Sequence, residues 1–163
     1  MNAMHKSFLI FVIILTLALS CFSQNKKLKL TADDKSAIVE SILKSFFEDY
    51  PDEIDSNEIV LSSLNINSSF VPKHLRVKLF LLSPDEINIK ANRERFVNYL
   101  IFSKFETKGS KVFVTLENLS VRSANSDVKP FFGHDFMWKV RKKSGKWVAE
   151  CINTSAFTSI SGE

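Results

Sequence analysis

Hydrophobic and polar residues alternate most regularly near the end of the chain, in residues 131–153. Two apolar stretches there flank the polar segment 142–146, whose Gly145 can adopt the positive φ that a tight turn requires. We therefore predict a β-hairpin. Pairing Val140 with Ala149 gathers the large apolar side chains on one face, whereas a shift by one residue would mix them with charged ones. The same register sets Trp138 opposite Cys151, Lys142 opposite Trp147, Lys139 opposite Glu150 and Met137 opposite Ile152.

A helical periodicity of about 3.6 residues runs through residues 31–50. Thr31 followed by Asp33 and Asp34 is typical of a helix start, because these side chains satisfy free N–H groups and suit the helix dipole. Pro51 ends the helix. Its apolar face, which we expect to cover the sheet, is formed by Ile38, Val39, Ile42, Leu43, Phe46, Phe47 and Tyr50.

Shorter patterns fill the middle of the chain. Residues 59–61 and 75–82 are predicted to be strands, and Ser83-Pro84 marks the start of a short helix. Residues 96–105 are apolar on both faces, which indicates a central strand, and residues 112–116 follow a Gly-containing turn as its partner.

Together these elements predict an α+β fold in which a long N-terminal helix packs on a curved antiparallel sheet of four to five strands. We expect a single α+β domain in residues 31–155. A basic stub, residues 24–30, precedes this domain, and residues 156–163 are predicted to form a tail.

Residues 1–23 have the layout of a secretory signal peptide, with a basic start, a continuous apolar run and small residues before the expected cleavage site. The apolar run, residues 8–19, is shorter than the roughly 20 residues that a membrane-spanning helix needs. The expected location is therefore outside the cytoplasm, either in a periplasm or secreted.

Two processing routes are compatible with this segment. Cleavage after Ser23 leaves Gln24 as the first residue. Residues 17–21 also resemble a bacterial lipobox, in which a lipid on Cys21 would anchor the chain in the envelope, although Ala18 stands where Leu is usual. Cleavage after Ser23 removes Cys21 and leaves Cys151 as the only cysteine, so no intramolecular disulfide can form and the domain must be held together by its core.

Charge is distributed unevenly within a formal net charge of +4. Residues 31–58 contain nine Asp and Glu against two Lys, whereas residues 59–163 contain sixteen Lys and Arg against nine acids. The basic residues form neither a run nor a stripe, and no nucleic-acid motif occurs, so we expect no nucleic-acid partner. Membrane association is expected only through the signal or a lipid on Cys21.

Candidate catalytic chemistry is confined to one neighbouring pair, His134 and Asp135, with Tyr99 as a third residue. An acid and a His at the mouth of a pocket could perform general acid–base work, although neighbours in a strand point to opposite faces. No spacing typical of a metal site occurs, so we predict neither a metal nor a cofactor.

The aromatic face of the hairpin has two interpretations. Phe136, Trp138 and Trp147 could line a ligand pocket or form hydrophobic core, and the core is favoured because large aromatic side chains dominate protein interiors. Since no catalytic constellation accompanies this aromatic content, we predict an exported, non-catalytic binding or interaction module. Its partner would be a small molecule or a protein. The alternatives are a small enzyme that uses His134 and Asp135, and a lipoprotein anchored at Cys21.

The order of elements and the Gly-Lys-Trp of residues 145–147 resemble cystatin-like and nuclear-transport-factor-like cone folds. That resemblance implies a sheet wrapped around an N-terminal helix, in folds that host both enzymes and binding modules. The chain also looks like small exported proteins of Bacteroidetes type, on the strength of Cys-Phe-Ser-Gln at 21–24, Leu-Ser-Pro-Asp-Glu-Ile at 82–87 and the same Gly-Lys-Trp. No activity follows from this second likeness.

Overall fold

Two helices and six strands follow one another in the computed structural model, which describes residues 28–53, 58–72, 75, 77–122 and 131–159. Their order is α1 (Ala32–Asp49), β1 (Glu58–Ser62), β2 (Lys78–Leu82), α2 (Pro84–Glu94), β3 (Phe96–Lys108), β4 (Lys111–Arg122), β5 (Phe131–Lys143) and β6 (Lys146–Ser159). The predicted α+β class is confirmed. The predicted signal peptide and most of the basic stub lie outside the described residues.

The six strands form one mixed sheet in the order β2-β1-β3-β4-β5-β6. Strands β3, β4, β5 and β6 are antiparallel to one another in succession, but β1 runs parallel to both β2 and β3. The prediction of four to five antiparallel strands was therefore wrong in both number and direction. The parallel pairs form because the connections that follow β1 and β2 carry the chain back to the same end of the sheet. A short apolar run does not reveal strand direction.

Helix α1 is short relative to the strands it covers, so the predicted long N-terminal helix is corrected as well. Its 18 residues extend over about 27 Å, whereas the 13 residues of β3 extend over about 43 Å. The helix consequently covers only part of the sheet.

A capping box begins α1: the Thr31 side chain accepts from the Asp34 N–H, and the Asp34 carboxylate accepts from the Thr31 N–H. The apolar face is buried as predicted and packs on β5. The Phe46 and Phe136 ring centroids lie 5.0 Å apart, and those of Tyr50 and Phe136 lie 4.8 Å apart. These contacts seat the C-terminal end of the helix on the middle of the sheet.

The final hairpin has the predicted register near its turn. Val140 pairs with Ala149 and Trp138 with Cys151, but a β-bulge then sets Met137 opposite Asn153 instead of Ile152. Gly145 has φ +80, as the tight turn requires. Strand β6 continues to Ser159, so residues 156–159 of the predicted tail are strand, because β5 offers backbone partners up to that point.

Helix α2 covers the opposite face of the sheet from α1. Alternate residues of the central strands separate two cores: Leu61, Leu100 and Phe102 join the α1 core, whereas Val60 and Val97 pack with α2. Strand β3 is thus covered on both sides, which accounts for its apolar residues on both faces.

Candidate functional site

Three polar side chains from distant parts of the chain meet beyond the C-terminal end of α1. Glu53 Oε1 lies 2.7 Å from His134 Nδ1, and Asn118 Nδ2 donates to Glu53 Oε2 over 2.9 Å. Asn118 and His134 are themselves opposite one another on β4 and β5. We call Glu53, Asn118 and His134 the Glu53 cluster. It joins the helix end to the face of the sheet that α1 covers.

The turn after α1 positions Glu53. Pro51 cannot continue the helix, and the chain makes a single 3-10 turn, Pro51–Glu53, in which the Glu53 N–H donates to the Tyr50 carbonyl over 3.2 Å. Tyr50 is held in turn by its ring contact with Phe136. The Glu53 side chain is 23% exposed, so its carboxylate is partly shielded from water.

A cavity of about 600 Å³ adjoins the Glu53 cluster, with both Glu53 and Asn118 in its wall. Its remaining wall comes from β1, β2, the end of α2 and the start of β3, and is mostly hydrophobic. The principal apolar lining residues are Phe46, Phe80, Leu82, Phe96, Val97 and Leu100.

The cavity exists because two central strands separate. Strands β1 and β3 are paired only at Val60 with Tyr99 and at Leu61 with Leu100. The preceding residues on both strands, among them Ile59 and Asn98, line the cavity and do not pair with one another. We call this space the fork cavity. Since Leu100 faces the α1 core while Val97 faces the α2 core, the cavity is walled by side chains from both faces of the sheet.

The ionisable groups in the cavity wall are mainly acidic. Glu53, Glu58 and Glu94 line it, and Lys90 is the one Lys or Arg among the described lining residues. Lys90 forms an ion pair with Glu94, one helical turn away. Glu58 pairs with Lys78 at 3.1 Å.

Tyr99 is half-buried in the same wall, and burial raises the pKa of its hydroxyl. The negative charge of Glu117 on the adjacent strand acts in the same direction. The phenol therefore stays protonated over a wider range of pH and remains a hydrogen-bond donor.

The three residues predicted as catalytic candidates do not converge. His134 and Asp135 point to opposite faces of β5: His134 contacts Glu53, whereas Asp135 lies opposite Glu117 and has a buried Oδ1 without a hydrogen-bond partner. Tyr99 lines the fork cavity, which neither of the other two lines. The acid next to His134 in space is thus Glu53 and not its neighbour in sequence.

The aromatic candidates for ligand binding belong to the core. Phe136 and Trp138 are 2% and 0% exposed, and both pack against α1 or the residue that follows it. Trp147 lies at the other end of the helix, where its Nε1 donates to Asp34 Oδ1 over 2.9 Å. None of the three lines the fork cavity.

Cys151 is the only cysteine among the described residues, and His134 is the only histidine. Cys151 lies on β6, and its thiol contacts the Asn153 carbonyl at 3.5 Å. Cys21, the lipidation candidate, and His74 fall outside the described residues. No group of three or more His, Cys, Asp or Glu in the described part of the chain could hold a metal ion, and the Glu53 cluster supplies only two such residues.

Several residues of the site escaped the sequence analysis, notably Glu53, Asn98 and Asn118. Glu53 lies in the acidic segment 31–58 with no motif to distinguish it, and its two partners are 65 and 81 residues away. One signal was available: Asn118 interrupts the apolar alternation of β4 after Val112, Val114 and Leu116. A polar residue on an otherwise buried face requires a partner.

Comparisons with protein-family models, curated proteins and solved structures find no match for this chain. The likeness to cone folds therefore stays a prediction. Among the described residues, neither helix is long and apolar enough to cross a membrane.

Proposed function

We propose that this protein is a non-catalytic binding module that holds a small, largely apolar ligand in the fork cavity. The observation that carries the proposal is the cavity itself: about 600 Å³ of space with a mostly hydrophobic wall that also includes a few polar groups. Ligand sites in proteins typically enclose roughly 300–1,000 Å³ and combine these two kinds of lining. A cavity in a central part of the sheet also removes packing contacts, and a bound ligand would restore them.

A cavity-filling variant tests this proposal. Val97 is buried and lines the cavity, so Val97→Phe places a larger side chain in the space a ligand would occupy. Val148→Phe makes the same change at an exposed position on β6 and serves as the matched control. The neutral fluorescent probe N-phenyl-1-naphthylamine should bind the unmodified protein at one site.

We expect Val97→Phe to weaken binding of the probe at least tenfold and Val148→Phe to leave it unchanged. Thermal unfolding of each variant verifies that the fold is retained. Probe binding that does not saturate, or that both variants weaken alike, would contradict the proposal.

The same proposal places the module outside the cytoplasm, because residues 1–23 have the pattern of a signal peptide. The mass of the mature protein from its native host distinguishes the two processing routes. A chain beginning at Gln24 indicates a free exported protein, and an acylated Cys21 indicates an envelope lipoprotein. An unprocessed Met1 would overturn export.

A second candidate function, general base catalysis by His134, is favoured by the contact with Glu53. A carboxylate that accepts from Nδ1–H orients the imidazole and leaves Nε2 free to accept a proton. This arrangement replaces the predicted pair of His134 and Asp135. Once a native ligand is known by mass, conversion by the unmodified protein but not by His134→Ala would favour the enzyme over the binding module.

A further inference from the structure

We infer that the ligand of the fork cavity is an organic cation, a compound with an apolar body and a protonated amine or quaternary ammonium group. The inference rests on the proposed function and specifies the chemistry of its ligand. It follows from the kind of polar group in the cavity wall, the unequal charges there and the aromatic rings beside them.

The carboxylate of Glu53 is the group best placed to receive the cation. His134 and Asn118 each occupy one of its oxygens, and a carboxylate oxygen has a second lone pair that can accept another donor. Both contacts hold the carboxylate in one orientation, so little side-chain freedom is lost when a ligand binds. At 23% exposure the carboxylate also interacts with a cation more strongly than it would in open water.

The net charge of the wall has the matching sign. Three Glu side chains and one Lys line the cavity among the described residues, and that Lys is already paired with Glu94. Glu53 would repel an anionic ligand. These lining residues offer no free ammonium or guanidinium group to attract one. A cation meets no such penalty, because the field of the wall attracts it.

Aromatic rings complete the pattern. Phe46, Phe96 and Tyr99 line the cavity, as does Phe80, over whose ring the Lys78 ammonium already lies at 4.4 Å from the centroid. The faces of aromatic rings attract cations, and groups of such rings recognise ammonium compounds. The same rings provide the apolar contact area for the body of the ligand.

Three probes that share one skeleton test the charge preference directly: 4-phenylbutylammonium, 4-phenylbutanol and 4-phenylbutyrate. Binding is measured by NMR titration of the side-chain amides of Asn98 and Asn118, which report from the cavity wall. We expect the ammonium compound to bind at least ten times more tightly than the alcohol, and the carboxylate compound to bind most weakly.

Two variants with opposite expected effects distinguish an effect of charge from a loss of folding, because a folding defect would weaken binding in both. Glu53→Gln keeps the shape of the side chain and should bring the ammonium and alcohol affinities to within about twofold. Lys90→Met releases Glu94 and should increase the preference for the ammonium compound. Glu150→Gln changes charge by the same amount on β6, far from the cavity, and should have no effect.

The outcomes separate the inference from the function beneath it. If the alcohol binds in the cavity as tightly as the ammonium compound, or if Glu53→Gln keeps the preference for the ammonium compound, the inference of a cationic ligand is wrong. The proposal of a binding module is then still supported. If none of the three probes moves the Asn98 or Asn118 amides, both the inference and the proposed function fail.

Discussion

Asp34 connects the first turn of α1 with the last hairpin through a single carboxylate. Besides capping the helix at Thr31, it accepts from Lys142 Nζ at 2.9 Å and from Trp147 Nε1 at 2.9 Å. The ammonium of Lys142, followed by the indole N–H and the Thr31 donors, holds the pKa of Asp34 well below its usual range. One ionised side chain thus fixes where the helix begins on the sheet.

This depressed pKa makes a prediction about acid stability. A carboxyl group whose pKa is lower in the folded than in the unfolded state stabilises the fold above the unfolded pKa, about 3.9 for Asp. The stabilisation is lost as pH falls through the folded pKa. We therefore expect Asp34→Asn to lower Tm at pH 5–7, and the difference from the unmodified protein to shrink below about pH 4.

Thermal unfolding at several pH values measures this effect. Asp33→Asn serves as the control, because Asp33 occupies the same helical turn but does not contact the hairpin. If the Tm difference between the unmodified protein and Asp34→Asn were constant from pH 7 to pH 3, Asp34 would not be the group responsible.

At the scale of elements, α1 also protects the edge of the sheet. Strand β6 is an edge strand with one side unpaired by any described strand, and such edges invite pairing with other chains. The Ala149 N–H on this edge donates to Ser41 Oγ over 3.0 Å. A helix side chain thereby takes the place of a missing neighbouring strand.

Removing the Ser41 hydroxyl should leave the Ala149 N–H on the β6 edge without its acceptor. We expect Ser41→Ala to destabilise the protein by about 1–3 kcal/mol, because the partly buried Ala149 N–H loses its acceptor. Ser45→Ala makes the same substitution one turn further along α1. Chemical denaturation measures both, and equal losses for the two variants would argue against the edge contact.

Elements defined by local patterns were predictable from sequence, whereas pairings between distant segments were not. The register from Val140–Ala149 to Trp138–Cys151 followed from the alternation of apolar residues and the turn at Gly145. The bulge at Ile152 left no such mark, because a single extra residue does not disturb the pattern before it. Parallel pairing of β1 was equally invisible, since a five-residue apolar strand carries no signal for direction.

The candidate site was harder to predict than the fold for a related reason. The fork cavity depends on where β1 leaves β3, and the Glu53 cluster depends on three segments meeting in space. Large aromatic side chains are candidates for ligand binding, but their size also favours burial. The structure accordingly packs Phe136, Trp138 and Trp147 in or against the core.

Considered as a whole molecule, the sheet collects basic residues at the end where its two hairpins turn. Strand β3 begins beside the acidic fork cavity and ends at the turns of the two hairpins, where basic residues collect. Exposed cations at those turns are Lys108, Lys111, Lys142, Lys143 and Lys146. Cations also lie at the cavity end, among them Lys78, Arg95 and Arg122, so the charge along β3 has no single direction.

Stability should also be uneven across the sheet. Strands β1 and β2 have five residues each, and β1 is joined to β3 at only two paired positions. We expect their amide hydrogens to exchange faster than those in the middle of β4, since the outer pair can open without disturbing the antiparallel strands. Native-state hydrogen exchange measures this, and uniform protection across all six strands would contradict it.

The packing of the first helix on the last hairpin has a consequence for the order in which the chain is made. Contacts such as Asp34 with Trp147 and Ser41 with Ala149 join residues 113 and 108 positions apart. A ribosome therefore releases α1 long before its partners exist. Until β5 has been synthesised, the helix lacks Phe136, Trp138 and Val140, which belong to the same core as its own apolar face. The growing chain therefore cannot complete this fold until its last hairpin has left the ribosome.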